Sequence, residues 1–300
     1  MSLKNVERSS GVVDVNGIQI YYDTFGQKHD PALLLIMGGC VQGIFWTEDF
    51  CARFANKGNY VIRYDHRDMG ESTYIDFDSQ PYDLNDMSKD AVELLNSLSV
   101  EKAHLLGLST GGLIAQIMAV DYPTKVQSIT VWATSSNFSP LIDALEGNSS
   151  NTHLLPPPKE SYLDCMKTLL ENPAKDEKEL LEQRIELWHI LSGFSAPFDE
   201  KEARKLHQLF LNRQKNMESL SHHIFAQNRS LDMINSISEK VKVPTLVIHG
   251  TEDPIFPPEH GKALSMAIDG STYKLIEGLG HVPNSYFDEI IVNLVIEHIQ

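Results

Sequence analysis

The sequence predicts an α/β fold: a mostly parallel, eight-stranded sheet with helices on both faces and a helical cap. Three observations carry that reading. Short, unbroken apolar runs rich in β-branched residues alternate with stretches of helical period, which is how buried parallel strands joined by helices are written. Inside that alternation, Leu105-Leu106-Gly107-Leu108-Ser109-Thr110-Gly111-Gly112 places a serine between two glycines where a strand runs into a helix. Finally, the alternation stops near residue 135 and resumes near 236. The chain therefore divides into a first core part (1–135), a helical cap inserted at 136–235, and a second core part (236–300).

Taken in order, Gly11–Val15 and Ile18–Tyr22 read as two strands joined at Asn16-Gly17, a dipeptide suited to a tight hairpin turn. Ala32–Ile36 is a continuous apolar strand ending in Met37-Gly38-Gly39-Cys40, where paired glycines leave backbone amides bare for a ligand. A short helix at Phe50–Asn56 precedes a strand at Tyr60–Tyr64. Leu84–Leu98 has apolar residues at helical spacing, and Ala103–Leu106 is the strand that feeds the serine junction. The helix Leu113–Tyr122 and the strand Val126–Ala133 complete this part. Four helices are expected in the cap: Ser161–Leu170, Glu177–Leu191, Glu200–Asn212 and Met217–Gln227. A strand at Val243–His249, a helix at Pro258–Ala267, a strand at Tyr273–Ile276 and a helix at Phe287–Ile299 finish the chain.

Composition excludes several classes of function. The 300 residues carry a net charge of −16, which argues against nucleic acid or an anionic membrane surface as partner. Cys40, Cys51 and Cys165 are too few and too scattered for a disulfide framework or a zinc site, and reduced thiols suit a cytoplasmic protein. Met1–Asn5 is polar, without the apolar core of a signal peptide, and no apolar run is long enough to span a bilayer. No P-loop, dinucleotide fingerprint or zinc-binding run occurs, so no cofactor and no metal are expected. Oligomeric state is not written in the sequence.

The chemistry follows from where polar residues fall. Gly107-Leu108-Ser109-Thr110-Gly111 has the G-x-S-x-G form of a nucleophile elbow, a turn so sharp that the serine hydroxyl is thrust out above the sheet. Such a serine needs a base, and the base needs a group to orient it. Ligands gather at the carboxyl ends of the strands of an open parallel sheet, and loops at that edge carry Ser109, Asp253 and His281, in that order. Asp65-His66-Arg67-Asp68-Met69-Gly70-Glu71-Ser72 is dense in charge, but it reads as a tight loop held by Arg67 and the two aspartates rather than as a catalytic pair or metal site. In the cap, Trp188, His189, Phe194, Met217 and Phe225 are candidates for a pocket, with packing of the cap itself the favoured role for each. His222-His223 reads as solvated or capping, since adjacent residues point to different faces of a helix.

Five motifs carry a family resemblance: Leu33–Gly39 (LLLIMGG), Val61–Thr73 (VIRYDHRDMGEST), Gly107–Gly112 (GLSTGG), Pro244–Gly261 (PTLVIHGTEDPIFPPEHG) and Gly278–Pro283 (GLGHVP). The chain resembles the α/β-hydrolase superfamily, and within it the aclacinomycin methylesterase-type esterases, over essentially its whole length, with the cap the weakest part. The resemblance implies Ser109 as nucleophile, His281 as general base and acid, and Asp253 as the group that fixes the imidazole. It also implies an oxyanion hole of two backbone N–H groups, those of Gly39 and Thr110. Met37 stands where superfamily members commonly have a histidine that stiffens this loop. Thr110 and Cys40 border the acyl pocket, with packing the favoured role for both. The expected substrate is a small-molecule carboxylic ester, a methyl ester among the candidates. The alternatives are a cofactor-free haloperoxidase or perhydrolase, a carbon–carbon bond hydrolase, and a small-molecule receptor on the same fold. A dehalogenase is disfavoured because it would need a carboxylate where Ser109 stands.

Overall fold

In the computed structural model, which describes residues 6–148 and 153–300, eight strands form one sheet. The polar start Met1–Asn5 lies outside the described residues. The strands are β1 (Arg8–Val15), β2 (Ile18–Phe25), β3 (Ala32–Ile36), β4 (Tyr60–Tyr64), β5 (Ala103–Leu108), β6 (Val126–Trp132), β7 (Thr245–Gly250) and β8 (Thr272–Ile276). Their order across the sheet is β1-β2-β4-β3-β5-β6-β7-β8. The pairings of β1 with β2 and of β2 with β4 are antiparallel, and all others are parallel. Every residue of β3, β4, β5 and β7 is buried, which is why β3 reads as an unbroken apolar run and the other three are dominated by apolar residues. The edge strands β1 and β8 keep exposed positions.

Strand order fixes the helices and the site together. From β3 the chain crosses through α1 (Glu48–Ala55) to β4 on one side; from β4 it crosses back through α2 (Leu84–Ser97) to β5 on the other. Parallel crossovers are right-handed, so this reversal puts α1 and α2 on opposite faces. Accordingly α1 packs on α11 (Asp288–Ile299), and α2 packs on α3 (Thr110–Asp121). The crevice at the reversal opens at the carboxyl ends of β3 and β5, where Met37–Cys40 and Ser109 lie. α10 (Pro258–Ala267) links β7 to β8.

Between β6 and β7 run α4 (Ser139–Leu145), α5 (Glu160–Glu171), α6 (Glu177–Ser192), α7 (Glu200–Arg213), α8 (Leu220–Arg229) and α9 (Leu231–Ile237). The short α4 and α9 escape the sequence reading, because neither is long enough to show a full apolar stripe. The junction around Ser109 is also tighter than the sequence suggests. β5 stays paired with β6 as far as Leu108, and α3 begins at Thr110, so the turn is a single residue.

Candidate active site

Ser109 has φ 52° and ψ −117°, a conformation that L-residues rarely occupy, so the backbone here is strained. The strain is held from both sides. The Ser109 N–H donates to the Trp132 carbonyl at 2.9 Å, and the Ser109 carbonyl accepts from the N–H of Gly112 at 2.9 Å. Gly111 has to be glycine, since a Cβ there would sit 2.1 Å from the Ile36 carbonyl oxygen of β3. The serine is half-buried, and the position of a Cβ on Gly38 lies only 3.6 Å from its Cβ. The loop after β3 and the serine thus face one another.

Asp253 follows β7 and His281 follows β8, and both are buried. His281 Nδ1 bonds to Asp253 Oδ2 at 2.9 Å. The other carboxylate oxygen of Asp253 accepts the N–H groups of Ile255 and Phe256, each at 2.9 Å. Burial by itself would raise the Asp253 carboxyl. The attraction and hydrogen bond of His281, the nearby His249 and the Phe256 amide outweigh it and hold the group below the ordinary carboxylate value. The Asp253 carboxylate stays ionised, so the shared proton is on His281 Nδ1 and leaves Nε2 free to accept. The His281 loop is in turn fastened by its own N–H, which donates to the Leu191 carbonyl at the end of α6 at 2.6 Å.

Gly39 and Thr110 come together as a pair: a Cβ on Gly39 would lie 2.9 Å from Thr110 Oγ1. Thr110 Oγ1 donates to Gln227 Oε1 of α8 at 3.0 Å. The loop lacks a histidine at position 37, yet two histidines brace it from outside. His66 Nε2 donates to the Met37 carbonyl at 2.9 Å. His223 Nδ1 accepts the Cys40 N–H at 3.0 Å while its Nε2 donates to the Arg67 carbonyl at 2.8 Å. Burial pushes His66 down to about 4 and His223 down to about 3, so both are neutral and each keeps one donor and one acceptor nitrogen. This corrects the expectation for His222-His223. His223 is buried, and His222 Nδ1 bonds to Asp68 Oδ2 at 3.0 Å, because α8 lies flat on the Asp65–Ser72 loop and brings both residues to protein.

That loop is structural, as expected, and it also seats the helices between β6 and β7. Arg67 makes a bidentate pair with Asp90 at 2.7 and 2.9 Å. Asp65 binds Arg213 of α7 as well as the N–H groups of Gly43 and Glu71. Of the five pocket candidates, Trp188 packs against Phe45 with ring centroids 4.6 Å apart, and Met217 packs against the core. His189 is exposed and stacks on Phe198, while Phe194 and Phe225 are 64% and 47% exposed, with ring contacts to His189 and Phe77 respectively. No three His, Cys, Asp or Glu side chains among the described residues converge to hold a metal ion. No helix of the described residues is long and apolar enough to cross a membrane.

Known proteins share this fold. Residues 31–287 match the model of the alpha/beta hydrolase fold family. The chain is 34% identical over 270 residues to the rhodomycin D methylesterase DnrP of Streptomyces peucetius, covering 88% of this chain and 89% of that one. It is 24% identical to the human serine hydrolase BPHL, covering 94% of this chain and 83% of that one. Among solved structures, the enol-lactonase of Burkholderia xenovorans LB400 superposes with a TM-score of 0.73 at 20% identity, covering 96% of this chain and 99% of that one. The chain belongs to the alpha/beta hydrolase fold family and, within it, is a carboxylic ester hydrolase resembling the methylesterases.

Proposed function

We propose that this protein is a serine hydrolase that cleaves a carboxylic ester, a methyl ester of a bulky apolar acid foremost, through an acyl-enzyme on Ser109. His281 Nε2 takes the Ser109 hydroxyl proton as Oγ attacks the ester carbonyl, and then gives that proton to the departing alcohol. Water repeats the cycle, its proton passing to His281 and back to Ser109 as the acid leaves. Asp253 fixes the imidazole tautomer and stabilises the imidazolium. The N–H groups of Gly39 and Thr110 receive the developing oxyanion, each donor worth about 10²–10³ in rate. Residues 136–235 act as a cap that bounds the substrate pocket and excludes water.

The observation that carries this reading is the buried 2.9 Å Asp253–His281 bond, at the same sheet edge that presents Ser109 in a strained one-residue turn. The methyl ester is favoured by the likeness to the 34% identical rhodomycin D methylesterase. The test is steady-state hydrolysis of a series of p-nitrophenyl and methyl esters by the native protein beside Ser109→Ala. A loss on the order of 10⁶ in kcat is expected. Turnover that survives the substitution would sink the acyl-enzyme. No turnover in either protein would favour a receptor.

A further inference from the structure

The two proposed oxyanion donors, Gly39 and Thr110, follow different strands and meet through a side chain. Thr110 Oγ1 crowds Gly39 so closely that a Cβ on the glycine would lie 2.9 Å from it. The Thr110 side chain is thus a wedge that sets how far apart the two N–H groups stand. It is buried, and it opens α3. A threonine inside a helix divides between two χ1 rotamers, because its hydroxyl can bond the carbonyl three or four residues back. At the first position of α3 those carbonyls belong to β5. The hydroxyl turns instead to α8, donating to Gln227 Oε1 at 3.0 Å.

The helix that carries Gln227 is pinned at both ends. Before it, Ser219 Oγ donates to the Asp68 carbonyl at 3.0 Å; after it, Ser230 Oγ accepts the Leu84 N–H of α2 at 3.0 Å. His223 lies one turn before Gln227, on the same face of α8. Its Cβ is 3.6 Å from the position of a Cβ on Gly39, and its Nδ1 accepts the Cys40 N–H. One face of α8 therefore touches both sides of the Gly39–Thr110 contact, His223 on the loop after β3 and Gln227 on Thr110.

We infer that Gln227 is a positioning residue for the oxyanion hole: by holding the Thr110 hydroxyl in one rotamer it sets the spacing of the Gly39 and Thr110 N–H groups. This rests on the ester-hydrolase reading above and adds to it a residue from the helices between β6 and β7. Gln227 acts through Thr110. Donors of this kind count where charge develops on the carbonyl oxygen and matter little to the resting ester, so a loosened pair lowers kcat and leaves KM alone.

The experiment measures kcat and KM on a p-nitrophenyl ester, per active site titrated with a fluorophosphonate so that misfolded protein is not counted. Gln227→Met keeps the length of the side chain and removes the acceptor. It should lower kcat about 10-fold with less than about twofold change in KM, a smaller loss than deleting a donor outright. Thr110→Val keeps the shape and the backbone N–H and should lose about as much, whereas Thr110→Ser, which keeps the hydroxyl, should retain most of the activity. The double variant Thr110→Val with Gln227→Met should lose no more than either alone, since the two side chains act as one unit. Losses that multiply in the double variant, or a raised KM at unchanged kcat, would overturn the inference. Three-bond couplings of the ¹³C-labelled Thr110 methyl group report its χ1 rotamer and need no turnover. A single rotamer in the native protein that becomes averaged in Gln227→Met upholds the hold on Thr110 even if hydrolysis by Ser109 fails, a result that would strike the hydrolase reading alone. A rotamer that stays fixed in Gln227→Met rejects the inference whatever the turnover.

Discussion

His66, His207 and His223 each trade solvation for one or two structural bonds, and all three titrate lower in the fold than the ordinary 6.5 because burial disfavours the charged ring. The unfolded chain therefore binds more protons between pH 6.5 and about 4, so stability is full above 6.5 and falls as the pH drops through that window. Each imidazole should remove about 2 kcal/mol of stability on going from pH 7.5 to pH 5. Denaturant melts at the two pH values check this, and His223→Gln should shrink the difference by one such share. A flat profile would mean the three rings gain access to water on acidification. Neither His66 nor His223 could be assigned this work from sequence. Their partners, Met37 and Arg67 carbonyls and a Cys40 amide, are backbone atoms far away in the chain and leave no side-chain signature.

At the scale of elements, the β5–α3 junction concentrates its strain in one residue. Glycine adopts φ 52° without penalty, so Ser109→Gly should raise stability by about 1 kcal/mol while abolishing ester hydrolysis. Thermal melts beside activity would show the trade, and a destabilised Ser109→Gly protein would contradict the account of strain. This junction was legible because its sequence constraints are local. A Cβ at Gly111 collides with β3 whatever the rest of the chain does. For the same reason β3, β4 and α10 begin and end where their residues suggest, while the helix expected at Met217 starts only at Leu220, after a turn in which Ser219 Oγ bonds to the Asp68 carbonyl.

Across the whole molecule, the Asp65–Ser72 loop joins the sheet to the helices between β6 and β7. Asp65 is 1% exposed and paired with Arg213. Breaking that pair from one side leaves a buried carboxylate alone, so Arg213→Met should cost about 3 kcal/mol. The double substitution Asp65→Asn with Arg213→Met should recover part of that loss, as measured by chemical denaturation. Additive losses would mean that the two groups do not act as a pair. The order Ser109, Asp253, His281 was readable because strand ends at one sheet edge come in a fixed sequence. The joint was not, since it links residues some 150 positions apart, as Arg213 and Asp65 do across 148.

The bond from the Cys40 amide to His223 has an evolutionary corollary. α8 supplies a structural brace to the very loop that faces the serine, so the helices between β6 and β7 are not an interchangeable module that merely chooses substrates. A chimera that carried the corresponding helices of a distant relative would inherit a slack loop unless a histidine came with them. Divergence of that segment is thus tethered at a few points, and new specificities have to be found around those points rather than through them.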